Sequence, residues 1–108
     1  MTGYEPTVFI VDDDTEVRDA LRLLMKSYAL QCATFDSAQA FLDSYDPDIP
    51  GCLVLDIRMP GLSGLDLQHI LNQQQALLPI IFITGHGDIP MAVDAMRSGA
   101  IDFIQKPF

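Results

Sequence analysis

The chain has no tryptophan, two cysteines and only six basic residues in a total of 108. Fifteen acidic residues outweigh the basic ones and give a formal charge of −9 at pH 7. A surface of this sign repels the phosphates of nucleic acids and of anionic membranes. We therefore expect no direct nucleic-acid binding by this chain and no membrane contact.

The two cysteines, Cys32 and Cys52, lie far apart in the sequence, without a CxxC motif or a Cys/His cluster. This pattern favours free thiols over a disulfide or a zinc site, and it favours a reducing, cytoplasmic setting. The sequence also lacks an apolar run of membrane-spanning length and a basic start followed by an apolar run. It therefore predicts neither an anchor nor a leader segment.

What the chain does contain is enough apolar material for one core. About half of it, 49%, is hydrophobic, and no linker, repeat or low-complexity tract divides it. A chain of this length can bury a sizeable core as a single unit. We therefore expect one domain spanning residues 1–108.

Turn residues divide the chain into strand-like and helix-like segments that alternate. The strand-like segments are TVFIV (7–11), QCATF (31–35), CLVLD (52–56), PIIFIT (79–84) and IDFIQ (101–105). Between them apolar residues recur at helical spacing, with Ser37 and Ser63 placed as N-caps. The alternation predicts an α/β fold with a doubly wound, five-stranded parallel sheet in the flavodoxin-like order 2-1-3-4-5.

Two apolar stripes predict which helix faces pack on the sheet. In the first helical segment the stripe consists of Val17, Ala20, Leu21, Leu24, Met25 and Tyr28. In the fourth it consists of Ile89, Ala92, Val93 and Met96. Met91 and Ala95 lie off the second stripe, so we expect them on a more exposed side.

Polar residues of types that take part in catalysis or metal binding lie where the predicted strands end. Asp12 and Asp13 follow the first strand, Asp56 ends the third, Thr84 ends the fourth and Lys106 follows the fifth. The carboxyl ends of parallel strands meet at one edge, and strands 1 and 3 are neighbours in the predicted order. We therefore expect these five side chains to meet in one crevice.

Three carboxylates in a partly dry crevice repel one another by about 4 kcal/mol per close pair at an effective dielectric constant of about 20. Such a site favours a cation, and oxygen ligands without His or Cys favour Mg²⁺. Beside that ion Asp56 is a candidate nucleophile toward phosphorus. Thr84 would then supply a hydroxyl donor and Lys106 a positive charge for the phosphoryl oxygens.

Four segments of the sequence resemble the receiver domain of two-component response regulators, which has the CheY-like fold. They are VDDD (11–14), LVLDIRMPGLSGLDL (53–67), ITGHGD (83–88) and GAIDFIQKPF (99–108). They occur in the family's order and span the whole chain. The stretch GHGDIPMAVDAMRSGAIDFIQKPF (85–108) is most similar to the FixJ-type branch.

The resemblance assigns roles to individual residues. It implies that Asp56 is the phosphorylated residue and that Asp13 binds Mg²⁺ directly, with Asp12 acting largely through water. Asp56 and the backbone carbonyl of Arg58 would complete the metal site.

The resemblance also implies that Thr84 and Lys106 act with Asp56 in catalysis. Thr84 and Phe103 would form a switch pair, in which the aromatic ring changes rotamer with the hydroxyl. It further implies a cis Lys106–Pro107 bond. His86, with no second His or Cys nearby, is interpreted as a solvated loop residue.

Partners and output follow from the same resemblance. The phosphoryl donor would be a phosphohistidine on a sensor histidine kinase. A C-terminal helix-turn-helix output domain, outside this chain, would regulate transcription, and phosphorylation would promote a homodimer through helix 4 and strand 5. The domain would be a signalling domain that catalyses its own phosphorylation and dephosphorylation. The family has a fifth helix, so we expect this chain to stop before it and to leave one flank of the sheet uncovered.

Two other functions stay open. One is a Mg²⁺-dependent phosphohydrolase of the haloacid dehalogenase type, since Asp12 and Asp14 have the spacing of its acid pair. Glu16 stands where that family has threonine, and 108 residues leave no room for its cap. The other is an interaction module independent of phosphorylation, against which the intact acidic set argues.

Overall fold

The structure is a computed structural model that describes residues 5–85 and 87–106. Its strands are β1 (Thr7–Val11), β2 (Gln31–Phe35), β3 (Gly51–Asp56), β4 (Ile80–Thr84) and β5 (Asp102–Gln105). Its helices are α1 (Thr15–Ser27), α2 (Ala38–Ser44), α3 (Gly64–Gln73) and α4 (Ile89–Arg97). The predictions for His86 and for the Lys106–Pro107 bond fall outside the described residues.

The strands form one parallel sheet in the order β2-β1-β3-β4-β5, which confirms the predicted fold class and topology. The register aligns the strand ends. Val11 lies opposite Leu55, and Asp56 lies opposite Ile83. The residues that follow β1, end β3 and end β4 therefore share one edge of the sheet.

Helices α1, α2 and α3 begin at residues whose side chains cap them. The Ser37 hydroxyl accepts a hydrogen bond from the Ala40 N–H at 3.1 Å, and Ser63 forms a capping box with Asp66, so both predicted N-caps are confirmed. The Asp14 carboxylate accepts from the Glu16 N–H at 2.9 Å and caps α1. These bonds fix where each of the three helices starts after the strand before it.

The sheet has a large core on one face and a small one on the other. Helices α2, α3 and α4 pack around Phe41, Leu55, Leu67 and Phe82 on the first face. On the second face, α1 packs around a smaller cluster, Ile10, Leu21, Val54 and Ile83. Among the described helices α1 alone covers this face, and Ile104, opposite Ile83, is 46% exposed.

The predicted orientation of α4 is largely wrong, although Ala92 is buried as predicted. Ala92 and Ala95 are fully buried, and Met91 packs against the large core. The large residues of the predicted stripe are the exposed ones: Ile89, Val93 and Met96, at 39%, 41% and 37%. Alanine lets a helix approach a sheet closely, and a stripe chosen for its large side chains overlooks that preference.

The predicted stripe of α1 is only partly correct. Leu21 is buried, and Val17 and Met25 pack against the small core. Leu24 and Tyr28 are exposed, at 46% and 71%. None of the helices within the described ranges is both long and apolar enough to cross a lipid bilayer.

Two side-chain amides of α3 hold the C-terminal end of α4. Gln68, which is buried, donates through Nε2 to the Ala95 carbonyl at 2.9 Å. Asn72 donates through Nδ2 to the Ser98 carbonyl at 3.0 Å. The Ala95 carbonyl also accepts from the backbone N–H groups of Ser98 and Ala100, so the Gln68 bond is an additional contact there. Together the two amide bonds join α3 to α4.

Candidate functional site

The three predicted carboxylates meet at the carboxyl edge of the sheet. One oxygen from each of Asp12, Asp13 and Asp56 lies within 4.8 Å of the others. Asp12 is fully buried and Asp56 is 6% exposed, whereas Asp13 faces solvent. The arrangement places two acids inside the protein and one at its rim.

Backbone contacts fix the loop that carries Asp12 and Asp13. The Asp12 N–H donates to the Phe35 carbonyl at 3.2 Å, and Asp12 Oδ1 accepts from the Asp14 N–H at 2.8 Å. Arg18 donates through Nη1 to the Asp12 carbonyl at 2.7 Å. Sequence reasoning missed Arg18, although a basic residue one turn into the helix that follows the acids was a usable signal.

Helix α3 begins directly against the end of β3. The Gly64 N–H donates to the Ile57 carbonyl at 2.9 Å. A Cβ atom at Gly64 would lie only 2.1 Å from the Asp56 carbonyl oxygen. Only glycine permits this approach, so the start of α3 helps to set the position of Asp56.

Lys106 brings a positive charge to the acids. Its Nζ atom lies 3.2 Å from Asp12 Oδ2 and 3.8 Å from Asp56 Oδ2. Its backbone N–H donates to the Thr84 carbonyl at 2.8 Å, which ties the end of β5 to β4. Burial by itself lowers the pKa of Lys106, but the Asp56 and Asp12 carboxylates outweigh it and leave that pKa raised.

Burial and the neighbouring acids raise the pKa of Asp56 to about 7, from an ordinary value of 3.8. Burial is the largest cause, followed by the charge of Asp12; Asp13 adds a smaller effect. Lys106 and the backbone N–H of Arg58 act in the opposite direction. The carboxylate therefore sits near the point where it exchanges its proton at neutral pH.

Two buried polar atoms in the site lack a hydrogen bond within the described residues, Thr84 Oγ1 and Asp12 Oδ2. The Asp12 oxygen still has its ion-pair contact with Lys106, whereas the Thr84 hydroxyl has no comparable partner there. A buried polar group without a partner costs stability. Hard oxygen donors with unused bonding capacity fit a hard cation such as Mg²⁺.

Phe103, the second predicted switch residue, lies in β5. It is opposite Phe82 in the sheet, is half-buried and packs against the large core. The predicted switch residues Thr84 and Phe103 therefore lie on adjacent strands, with α4 packed against the same two strands.

Arg58 and Asp88 form an ion pair at the rim of the site, and sequence reasoning missed it. Arg58 Nε donates to Asp88 Oδ1 at 2.5 Å. Both residues line a cleft of about 720 Å³, together with Asp13, Asp14, Asp56, Gly85, Gly87 and Lys106. The pair joins residues thirty positions apart, and no local sequence pattern marks such a pairing.

The sheet order and the acidic pocket define a CheY-like signalling domain. The chain belongs to the response regulator receiver domain family, whose model matches residues 8–108. This membership confirms the resemblance seen in the sequence. It assigns the chain to a family of signalling domains and gives no support to the phosphohydrolase alternative.

Individual relatives agree with this assignment. Nodulation protein W of Bradyrhizobium diazoefficiens is 54% identical over 94% of this chain and 44% of its own length. Transcriptional regulatory protein FixJ of the same species is 48% identical over 94% of this chain and 49% of its own. The chain thus spans about half the length of the curated relatives it matches.

Solved structures show the same fold. Response regulator StyR is 55% identical with a TM-score of 0.90, over 96% of this chain and 52% of that one. The structure of FixJ-N is 47% identical with a TM-score of 0.87, over 96% of this chain and 83% of that one. These matches support the FixJ-type branch that the sequence indicated.

Proposed function

We propose that this chain is the receiver domain of a transcription regulator and accepts a phosphoryl group on Asp56 from a phosphohistidine of a sensor histidine kinase. The observation that carries the proposal is the placement of Asp56, buried at the end of β3 with oxygens of Asp12 and Asp13 within 4.8 Å. Lys106 lies 3.8 Å from the same carboxylate. This constellation suits phosphoryl transfer, in which positioning and charge stabilisation supply most of the catalysis.

The proposed metal is Mg²⁺, held by Asp12, Asp13, Asp56 and the backbone carbonyl of Arg58. When bound, it would supply positive charge at the transferring phosphoryl group. An ionised oxygen of Asp56 forms the new bond to phosphorus while the phosphorus–nitrogen bond to histidine breaks and the imidazole keeps the electron pair. Lys106 lowers the pKa of Asp56, which keeps more of this carboxylate in the ionised, reactive form.

The remaining catalytic roles go to Lys106 and Thr84. Lys106 would bind one phosphoryl oxygen, and the Thr84 hydroxyl, which has no hydrogen-bond partner among the residues that the structure describes, would donate to another. The same groups would assist the attack of water that removes the phosphoryl group, so the domain would catalyse both its own phosphorylation and its own dephosphorylation.

Movement of Thr84 toward the phosphoryl group would allow the Phe103 ring to change rotamer and would remodel the surface of α4 and β5. The exposed apolar residues of α4, Ile89, Val93 and Met96, support this surface as the contact in a phosphorylation-dependent homodimer. An exposed apolar patch of this kind favours a protein partner, and the net charge of −9 argues against nucleic acid as the partner.

We further propose that residues 1–108 are one domain of a longer cytoplasmic protein. The relatives are about twice as long, and FixJ is a transcriptional regulatory protein. A fifth helix after β5 would cover the sheet face around Ile104, and a helix-turn-helix output domain would follow it. That output domain, and not this chain, would bind DNA.

A small phosphodonor tests the proposal. The chain is incubated with acetyl phosphate and Mg²⁺, and the intact mass and the modified residue are determined. We expect the mass of one phosphoryl group on Asp56, lost in Asp56→Asn and retained in the control Asp14→Asn. Release of phosphate from phosphate esters without an adduct would favour a phosphohydrolase, and no reaction at all would favour a phosphorylation-independent module.

A further inference from the structure

The two partners of the ion pair between Arg58 and Asp88 differ in how deeply they are buried. The Asp88 carboxylate is 7% exposed, whereas the Arg58 side chain is 68% exposed. Arg58 is two residues past Asp56, and its backbone N–H already acts on the Asp56 carboxylate. Both partners line the cleft that contains Asp56. A largely exposed cation is thus held by a buried anion at the edge of the reaction site.

Asp88 also occupies the N-cap position of α4, yet within the described ranges its side chain makes no capping hydrogen bond. An N-cap carboxylate normally accepts from the N–H at the second or third helical position. The second position of α4 is Pro90, which has no N–H, so the Met91 amide is the available donor. The carboxylate is engaged by Arg58 instead of by this amide.

A phosphoryl group on Asp56 changes the competition for Arg58. It carries more negative charge than a carboxylate and offers three acceptor oxygens. Guanidinium groups bind phosphate oxygens in a bidentate manner, and ion pairs with a largely exposed partner are weak. The conditions for an exchange of partners are therefore present in the cleft.

We propose that the Arg58 side chain is a further phosphoryl-binding group and that Asp88 is its positioning residue. In the resting protein Asp88 holds the guanidinium at the rim. On phosphorylation the guanidinium binds the phosphoryl oxygens, and the released Asp88 carboxylate accepts from the Met91 N–H and caps α4. The proposal rests on Asp56 being phosphorylated, and it gives the site a second connection to α4 besides Thr84 and Phe103.

Nuclear magnetic resonance of the unaltered chain tests the exchange directly. Mg²⁺ and beryllofluoride are added as a phosphoryl mimic, and ¹⁹F signals report occupancy of Asp56. We expect the Arg58 Nε–H resonance to shift, because its hydrogen bond to Asp88 is lost. The Met91 amide proton should shift downfield, because it gains a hydrogen bond to Asp88. If ¹⁹F signals show the mimic bound while both resonances stay in place, this proposal is overturned. If no bound ¹⁹F signal forms, the proposed function itself fails.

A double-mutant cycle tests the competition. Asp88→Asn frees Arg58 and keeps a residue that can cap a helix, so beryllofluoride should bind about threefold more tightly, as expected for an ion pair whose cation is largely exposed. In an Arg58→Gln background the same change should have no effect. A gain that persists with Arg58→Gln would be a general charge effect, and it would overturn the proposal, as would weaker binding in Asp88→Asn alone.

Discussion

Asp56 combines two requirements that oppose each other. A nucleophilic carboxylate has to be ionised, but its burial and the nearby acids favour the protonated form. Lys106 offsets part of this cost from 3.8 Å. The site is therefore least stable when all its acids are ionised and no positive charge other than Lys106 is present.

The raised pKa of Asp56 makes stability depend on pH in the metal-free protein. Between its unfolded value of 3.8 and its folded value of about 7, the folded state binds more protons at this group than the unfolded state does. The stabilising contribution of Asp56 to the free energy of unfolding is therefore completely present below pH 3.8. It decreases as the pH rises to 7, by at most about 4 kcal/mol. Urea unfolding in EDTA at several pH values measures this.

The matched variant for that measurement is Asp56→Asn, which has no proton to exchange. It should be more stable than the natural chain at pH 8, and the difference should shrink toward pH 4. Equal pH profiles for the two proteins would contradict the assignment of the raised pKa to Asp56.

The rim acid Asp13 is expected to be needed for metal binding. Asp13→Ala removes one of three clustered charges, so Mg²⁺ affinity measured by calorimetry should fall about tenfold or more. The control is Asp14→Asn, which keeps the α1 cap one position away and should bind Mg²⁺ normally. Undiminished affinity in Asp13→Ala would remove Asp13 from the metal site.

At the scale of elements, the junction of β3 and α3 has no room for a side chain. Gly64→Ala would place a methyl 2.1 Å from the Asp56 carbonyl oxygen, so backbone has to move. We expect a loss of about 1–3 kcal/mol in the free energy of unfolding, together with weaker Mg²⁺ binding.

The control for Gly64→Ala is Gly61→Ala. Gly61 has a φ of +75°, but a methyl group there would meet nothing within 4 Å, so the substitution strains the turn without a clash. It should cost about 1 kcal/mol and leave Mg²⁺ affinity unchanged. If both variants bind Mg²⁺ equally well, the Gly64 contact does not position the site.

The strands and their order could be predicted because buried strands are short apolar runs bounded by turn residues, and alternation with helices restricts the topology. The meeting of Asp12, Asp56 and Lys106 followed from that order. The burial of Ala92 was predicted, but the face of α4 as a whole was not, because a small residue such as Ala95 buries little area and still determines how closely the helix packs. The Arg58–Asp88 pair depends on the relative position of two loops, which local sequence does not encode.

At the scale of the whole molecule, the proposed dimer depends on α4. With Mg²⁺ and beryllofluoride the chain should shift from monomer to dimer in sedimentation velocity, and Val93→Glu should prevent the shift by placing a charge on the exposed apolar patch. Binding of beryllofluoride itself should be unchanged in that variant.

Leu77→Glu is the matched control for Val93→Glu. Leu77 is 98% exposed and lies in the loop before β4, at the opposite edge of the sheet from the site. This variant should dimerise like the natural chain. Loss of the dimer in both variants would point to a general charge effect, and a monomer in all three proteins with the mimic bound would contradict the proposed surface.

The amide contacts of Gln68 and Asn72 restrict how α4 can move. They attach its C-terminal end to α3, and the Gln68 contact is buried, so breaking it would deprive the buried Gln68 amide nitrogen of this acceptor. A rearrangement that keeps both contacts has to swing the helix about that end as a pivot. Displacement then increases toward the other end, so Ile89 would travel furthest and Met96 least. The displacement of the exposed apolar side chains would thus increase along α4, and the residue nearest the reaction site would change its surroundings most.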